Sequence, residues 1–438
     1  MKRKWILTLL ALTALLLSGC AMRTVEEMYA LPKRAEEYTQ LQAAIDLAMA
    51  GKTFSAPLYG ENQQTVQMAD LDGDGVEEYL IFASDNSDKQ LKVLIVAQTA
   101  DGTCRLVDTI ESNGAAFEQV EYVQFDNRPG CELIIGRQVS DQVLRSVSVY
   151  TYEGGSAEQL LLIGYSKFLT CDLNQDGRSE LMVLRPGEAQ SKQGMAVLYS
   201  SRNGQVERSV ETELSEDPSN IRRITSGTLQ CGTPAVFVAS SVNGGAIVTD
   251  IFTIREDRFA NITLSAEGNT SIRTLRNYYV YAEDIDADGI LELPGMITMK
   301  PIGQWLENDQ NFLLRWYSMD ADGWEMDKRY TFHNFVGGWY MQIDSALATR
   351  ITVDQHGGTF YFYVWEEDQP KLLFTVYVLT DSNRDEQAVE NGRFALHRTE
   401  SAAYAAKLER VAADYGITEE SLKSDFHMIR QVWRTGET

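Results

Sequence analysis

From about residue 62 the apolar positions recur with period 2, in short runs punctuated by Asp101-Gly102, Gly154-Gly155, Asn203-Gly204, Asn243-Gly244 and Asp322-Gly323. Alternation bounded by such dipeptides predicts strands joined by tight turns. The first group reads as four strands: Thr65–Ala69, Tyr79–Ala83, Leu91–Ala97 and Cys104–Ile110. The rhythm then repeats. Val120–Phe125 leads through Asp126-Asn127-Arg128-Pro129-Gly130 into Glu132–Gly136, and Phe168–Asp172 opens a third unit. Ile224–Leu229, with Cys231-Gly232 in its turn, opens a fourth, and Tyr278–Asp284 a fifth.

The period changes at both ends. Tyr38, Leu41, Ile45 and Met49 recur at helical spacing after Pro32 and before Gly51, which predicts an amphipathic helix packed on the body or serving as a spacer. Beyond Gly337 come strands at Gly338–Ile343, Ile351–Val353, Thr359–Trp365 and Leu372–Leu379. Tyr404, Leu408, Val411 and Tyr415 then mark a helix closed by Gly416. Leu422, Phe426, Ile429 and Trp433 mark a second, begun by Thr418 with Glu419-Glu420 in its first turn.

Sheet units spaced roughly 45–60 residues apart suit the blades of a propeller. The expected fold is mainly β: a β-propeller of about five blades, with six or seven admitted, over residues 59–334. A sandwich or a β-helix is the alternative. Residues 335–438 read as a small C-terminal α+β domain, with a ring-closing sixth blade as the competing reading. Six of the seven tryptophans lie at or after Trp305, which marks the shift in composition.

Three loops inside the sheet units carry the chemistry. They are Asp70-Leu71-Asp72-Gly73-Asp74-Gly75-Val76-Glu77-Glu78, then Asp172 to Glu180, then Asp284 to Glu292. Each places oxygen-bearing side chains at positions 1, 3, 5 and 9 and a glycine at 6. A hard cation such as calcium takes six to eight oxygens, and a nine-residue loop can wrap it. The expected ligands are Asp70, Asp72, Asp74 and Glu78 with the Val76 carbonyl; Asp172, Asn174, Asp176 and Glu180 with the Arg178 carbonyl; and Asp284, Asp286, Asp288 and Glu292 with the Ile290 carbonyl. Magnesium, which keeps its waters, fits less well. An EF-hand is excluded, because position 12 is Ile81, Val183 or Gly295 and β runs flank each loop.

This pattern resembles the FG-GAP/VCBS repeats of integrin-like β-propellers, in the bacterial form DxDxDGxxE followed by a β run. The resemblance covers roughly residues 60–335 and departs near Asp126 and Cys231, where ligands are missing. Glutamate at position 9 also replaces the usual aspartate. The resemblance implies up to three structural calcium ions and a binding role, not a reaction.

The N-terminus reads as a targeting segment. Lys2-Arg3-Lys4 precedes an apolar core over residues 5–17, and Leu17-Ser18-Gly19-Cys20 resembles a bacterial lipobox; an ordinary secretory signal is the alternative. Residues 1–20 are therefore the expected signal peptide, Cys20 the lipidated residue, and 21–58 a tether with the helix. The layout resembles that of repeat-containing lipoproteins of Gram-positive gut bacteria. It places the protein outside the cytoplasm, anchored to the outer face of the bacterial cell membrane. With 63 acidic against 39 basic residues the formal charge is −24, which disfavours nucleic acid as a ligand. Cys104, Cys131, Cys171 and Cys231 lack CxxC spacing; disulfides and buried thiols both stay open.

No nucleophile, zinc or phosphate motif is present, and His333, His356, His397 and His427 are scattered. Two function classes remain. The first is a binding or adhesion module for an extracellular protein or glycan, with envelope scaffold as a variant. The second is a polysaccharide-acting enzyme with structural calcium, whose aromatic platform would come from Trp305, Trp316 or Trp324 near Asp320 and Asp322.

Overall fold

A computed structural model describes residues 36–99, 102–139, 144–187, 193–202, 204–242, 245–265, 270–303 and 312–429. The targeting segment with Cys20, as well as Trp305 and Trp433, lies outside the described residues. The chain divides into two compact units. One runs to Ala56 and adds Gln64–Ala69 and Gly75–Asn113; the other holds Pro57–Gln63, Asp70–Asp74 and everything from Gly114 onward.

The first unit is one antiparallel sheet and a helix. Glu78–Ser84, Leu91–Gln98 and Cys104–Ser112 pair in sequence, and Thr53–Phe54 and Val66–Ala69 both pair with Glu78–Ser84. Helix Glu36–Ala48 lays Ala44, Ile45 and Ala48 against Ile81, Ala83, Leu94 and Val96. Those strand residues alternate with Leu80, Phe82, Val93 and Ile95, which are buried as well. Hence the strands read as nearly continuous apolar runs.

The second unit contains five sheets of four or five strands, all antiparallel. They span 116–164, 167–213, 221–261, 293–343 with 426–428, and 351–408. Consecutive sheets stack face to face through alternate side chains. In the strand Glu180–Pro186, Leu181 and Val183 pack with Ile134, Val147 and Val149 of the preceding sheet. Met182 and Leu184 pack with Val236, Val238 and Phe252 of the following one. Phe237 and Ile251 continue the stack onto Leu293, Tyr317 and Met319. Leu313, Phe332 and Trp339 carry it onto Val353, Phe362 and Phe374 of the last sheet. Burial on both faces of each central strand supplies the main stabilisation of this arrangement. Tight turns set its registers. Gly154 and Gly155 both have positive φ, 60° and 84°, in the two-residue hairpin that pairs Glu153 with Ser156.

Mainly β architecture is thus observed, with six antiparallel sheets among the described residues. Three local expectations are corrected. Tyr278–Asp284 is not a strand; it threads through the interior, and only Glu283 makes an isolated bridge, to Glu292. The helix expected over Tyr404–Tyr415 is a strand, Ala403–Leu408, followed by the 3-10 turn Arg410–Tyr415. The helix begun at Thr418 runs only over Glu419–Asp425, after which Phe426–Met428 adds to the edge of the sheet containing Trp339–Ile343. That sheet takes strands from both sides of residue 335. No described helix is long and apolar enough to cross a membrane.

Candidate functional site

The second and third acidic loops lead directly into the strands Glu180–Pro186 and Leu293–Thr298. Both fold through the same bonds. Asp172 Oδ1 and Oδ2 accept from the backbone N–H groups of Asp176 and Gly177, at 3.2 and 3.0 Å. Asp284 does the same with Asp288 and Gly289, at 3.1 and 3.0 Å. The position-5 carboxylates Asp176 and Asp288 accept from Arg178 N and Ile290 N, at 3.0 and 2.9 Å. The position-9 glutamates reach back to position 2: Glu180 Oε2 accepts from Leu173 N at 2.8 Å and Glu292 Oε2 from Ile285 N at 3.1 Å. Each loop turns twice through the left-handed region, at Gln175 and Gly177 (φ 58° and 83°) and at Ala287 and Gly289 (φ 62° and 85°). Position 6 was legible from its glycine. Position 4 was not, although Gly73 at that place in the first copy, with φ 74°, is the available signal.

In the third loop Asp284, Asp286 and Glu292 each bring an oxygen within 4.8 Å of the others. Glu292 is fully buried, and its Oε1, like Oδ1 of Asp286, is buried without a hydrogen-bond partner. A buried carboxylate oxygen left unpaired is costly. Burial, together with the neighbouring Asp286 and Asp288, pushes the Glu292 carboxyl up to about 7 despite the Ile285 N–H. A divalent cation among these oxygens would satisfy both orphans and cancel the repulsion, so the donor set fits calcium. Asp288 is drawn aside by Lys328, whose Nζ lies 2.6 Å from Oδ2.

The second loop gathers Asp172, Asp176 and Glu180 in the same way. Burial likewise pushes Glu180 up to about 7, with Asp172 and Asp176 adding to the rise. Here the Asn174 amide nitrogen donates to Glu180 Oε1 at 2.5 Å and to Asp176 Oδ2 at 3.2 Å. Turning that amide over would present its oxygen to a cation instead. Arg178 bonds Asp176 through its guanidinium. The first loop is divided by the unit boundary: Asp70, Asp72 and Asp74 belong to the second unit, Val76 and Glu78 to the first. Within the former segment, Asp70 Oδ1 accepts from Gly73 N at 2.7 Å and Asp72 Oδ1 from Asp74 N at 3.2 Å.

Residues Gln124–Glu132 hold the equivalent place in the sheet spanning 116–164, and they keep half of the design. Glu132 Oε2 accepts from Phe125 N and Asp126 N at 2.7 and 3.2 Å, the bond pattern of position 9. Counting back from Glu132, position 5 is Arg128 rather than aspartate. Its Nε and Nη2 both lie 2.8 Å from Oδ2 of the buried Asp126. A guanidinium therefore stands at position 5, where the other loops carry an aspartate, and it pairs with a buried carboxylate of its own loop. This substitution is visible in the sequence once the loops are aligned on position 9.

The loops touch one another in chain order. A Cβ on Gly130 would lie 2.2 Å from the Leu71 carbonyl oxygen, and one on Gly73 2.4 Å from Gly130 N. Ser179 N donates to Gln124 O at 2.8 Å, Gln175 Nε2 to Gly232 O at 3.1 Å, and Leu291 N to Thr228 O at 3.0 Å.

Among the described residues, which exclude Trp305, the expected sugar platform does not assemble. Trp316 is fully buried with its indole N–H on Thr331 Oγ1 at 2.9 Å, while Trp324 is 75% exposed beside a turn closed by Asp320. His333 is buried and burial lowers its pKa to about 3; His356 is exposed and 3.1 Å from Asp354. Cys171 and Cys231 are free thiols, and burial pushes Cys171 up to about 12.

No protein-family model matches the chain, and no curated protein does. Among solved structures it is similar to the exotype rhamnogalacturonan lyase YesX, at 14% identity and a TM-score of 0.29, over 74% of this chain. The chain spans 65% of that protein's length. It is also similar to the rhamnogalacturonan lyase YesW, at 13% identity and a TM-score of 0.29, over 72% of this chain and 71% of the other.

Proposed function

We propose that this chain is a calcium-stabilised binding module, built as a β-propeller of FG-GAP/VCBS type and held by a lipid on Cys20 to the outer face of a bacterial membrane. The observation that carries the metal is the pair of buried, unpartnered oxygens on Asp286 and Glu292. The propeller reading is supported by the face-to-face succession of sheets and by loops that touch in chain order. The core shared between the last two sheets favours a sixth blade over a separate tail domain. Calcium in this reading rigidifies the loops and takes no part in chemistry.

A lipobox at Leu17–Cys20 after a short apolar core supports the anchor, since a diacylglyceryl group supplies more than one chain for stable attachment. The test is a thermal melt of residues 20–438, with Cys20→Ser, in millimolar calcium and in chelator. Extracellular calcium modules bind at about 10⁻⁴–10⁻³ M, so the midpoint should rise by several degrees with calcium. Coincident melts would overturn the metal assignment.

A further inference from the structure

We propose that the cavity beside Tyr59 binds a carboxylate-bearing sugar, which rests on the reading of the chain as a binding module and names its ligand class. The cavity is about 300 Å³ and is lined by Tyr59, Glu118, Arg145, Tyr165, Lys167 and Phe168. Its wall is preorganised. Tyr59 N donates to Glu118 O at 2.7 Å and Leu58 N to Phe117 O at 3.2 Å, so this segment lies along Ala116–Val123 as an added parallel edge. Asn62 Nδ2 fastens the same segment to Val120 O at 3.0 Å. The Tyr59 ring is thereby fixed at its backbone and left 59% exposed. Tyr165 and Phe168 form an edge-to-face pair, 5.0 Å between centroids, beside Gly136, where a Cβ would meet both rings at under 3 Å.

Charge then selects the ligand. Both oxygens of Glu118 are already used, Oε1 by Arg145 Nε at 2.8 Å and Oε2 by the Tyr165 hydroxyl at 2.6 Å. The neighbouring Glu121 is occupied by Gln119 and Thr170. Lys167 is exposed, and its ammonium makes no ion pair or hydrogen bond with a described residue. With Arg145 paired to Glu118, the cavity keeps one cation over, the Lys167 ammonium, in a chain of formal charge −24. An anion is favoured there, and the flat Tyr59 face beside the free ammonium suits a pyranose whose carboxylate meets Lys167. The Gln119 amide offers a further polar group for ring hydroxyls.

The test is calorimetric titration of residues 20–438, with Cys20→Ser and in calcium, using a glucuronate-bearing oligosaccharide and its carboxyl-reduced form. The acidic form should bind about tenfold or more tightly than the reduced one, and added salt should weaken it. Lys167→Ala and Tyr59→Ala should each weaken the acidic form about tenfold, with unchanged melting because both side chains are exposed, while Lys167→Arg should retain it. Equal affinity for the two forms, variants that bind as wild type, tighter binding of poly-glutamate, or no binding at millimolar concentration would each overturn the proposal. The cavity shares no residue with the acidic loops. A calcium-dependent melt that persists while titration fails would thus sink the sugar site and leave the calcium module standing.

Discussion

At the scale of single residues, the acidic loops contrast two ways of neutralising buried carboxylates. Asp286→Ala removes an oxygen that a bound ion would use, so it should lower the melting temperature by several degrees in calcium and leave the melt in chelator unchanged. Equal losses in both conditions would remove the metal from that loop. Arg128→Ala should behave oppositely. It strands Asp126 and Glu132 in the interior, which costs on the order of 2 kcal/mol with or without calcium. A loss confined to calcium would mean that Arg128 is not the local counter-charge. His333 provides a pH readout. Burial lowers its pKa from 6.5 to about 3, so the unfolded chain binds the extra proton first and stability falls as pH drops below about 6.5. The slope should approach 1.4 kcal/mol per pH unit between those limits, and chemical denaturation of His333→Gln at several pH values should show it reduced. The carboxylate clusters of the second and third loops are legible at this scale because their members recur at fixed positions of the nine-residue pattern. The left-handed position 4 was hidden, because Gln175 and Ala287 carry no outward sign of a positive φ.

At the scale of elements, period 2 located most strands because both faces are constrained by packing. It failed where an apolar run is buried without a partner strand. Tyr278, Val280 and Tyr281 are buried as they thread past Leu314 and Ile247 in a segment that forms no regular ladder. The helical reading of Tyr404–Tyr415 failed for a different reason. Ala403, Ala405 and Ala406 favour helix intrinsically, but the strand lies between Gln369–Leu379 and Phe394–Arg398, where small side chains fit two buried faces. Phe426–Met428 was illegible because its partner, Trp339–Met341, lies far back in the sequence. The short helix Glu419–Asp425 was found by its cap. Thr418 Oγ1 accepts from Ser421 N at 3.1 Å, and Ser421 Oγ accepts from Thr418 N at 3.0 Å. Thr418→Ala should therefore cost about 1 kcal/mol, measured by denaturant titration, whereas Thr418→Asn should be nearly neutral.

At the scale of the molecule, the loops are not independent sites. Gln175 reaches Gly232, Leu291 reaches Thr228, and Ser179 reaches Gln124, so loosening one loop removes bonds from its neighbour. The chain also mixes loops that gather three carboxylates with one that carries arginine at position 5. Where calcium runs low, the backbone over Asp286–Ile290 should open while Asn127–Cys131 stays closed. Limited proteolysis in chelator should accordingly cut the first segment well before the second, and added calcium should erase the difference. On the proposed reading of an anchored module outside the cell, the protein would then record the mineral content of its surroundings as its own lifetime.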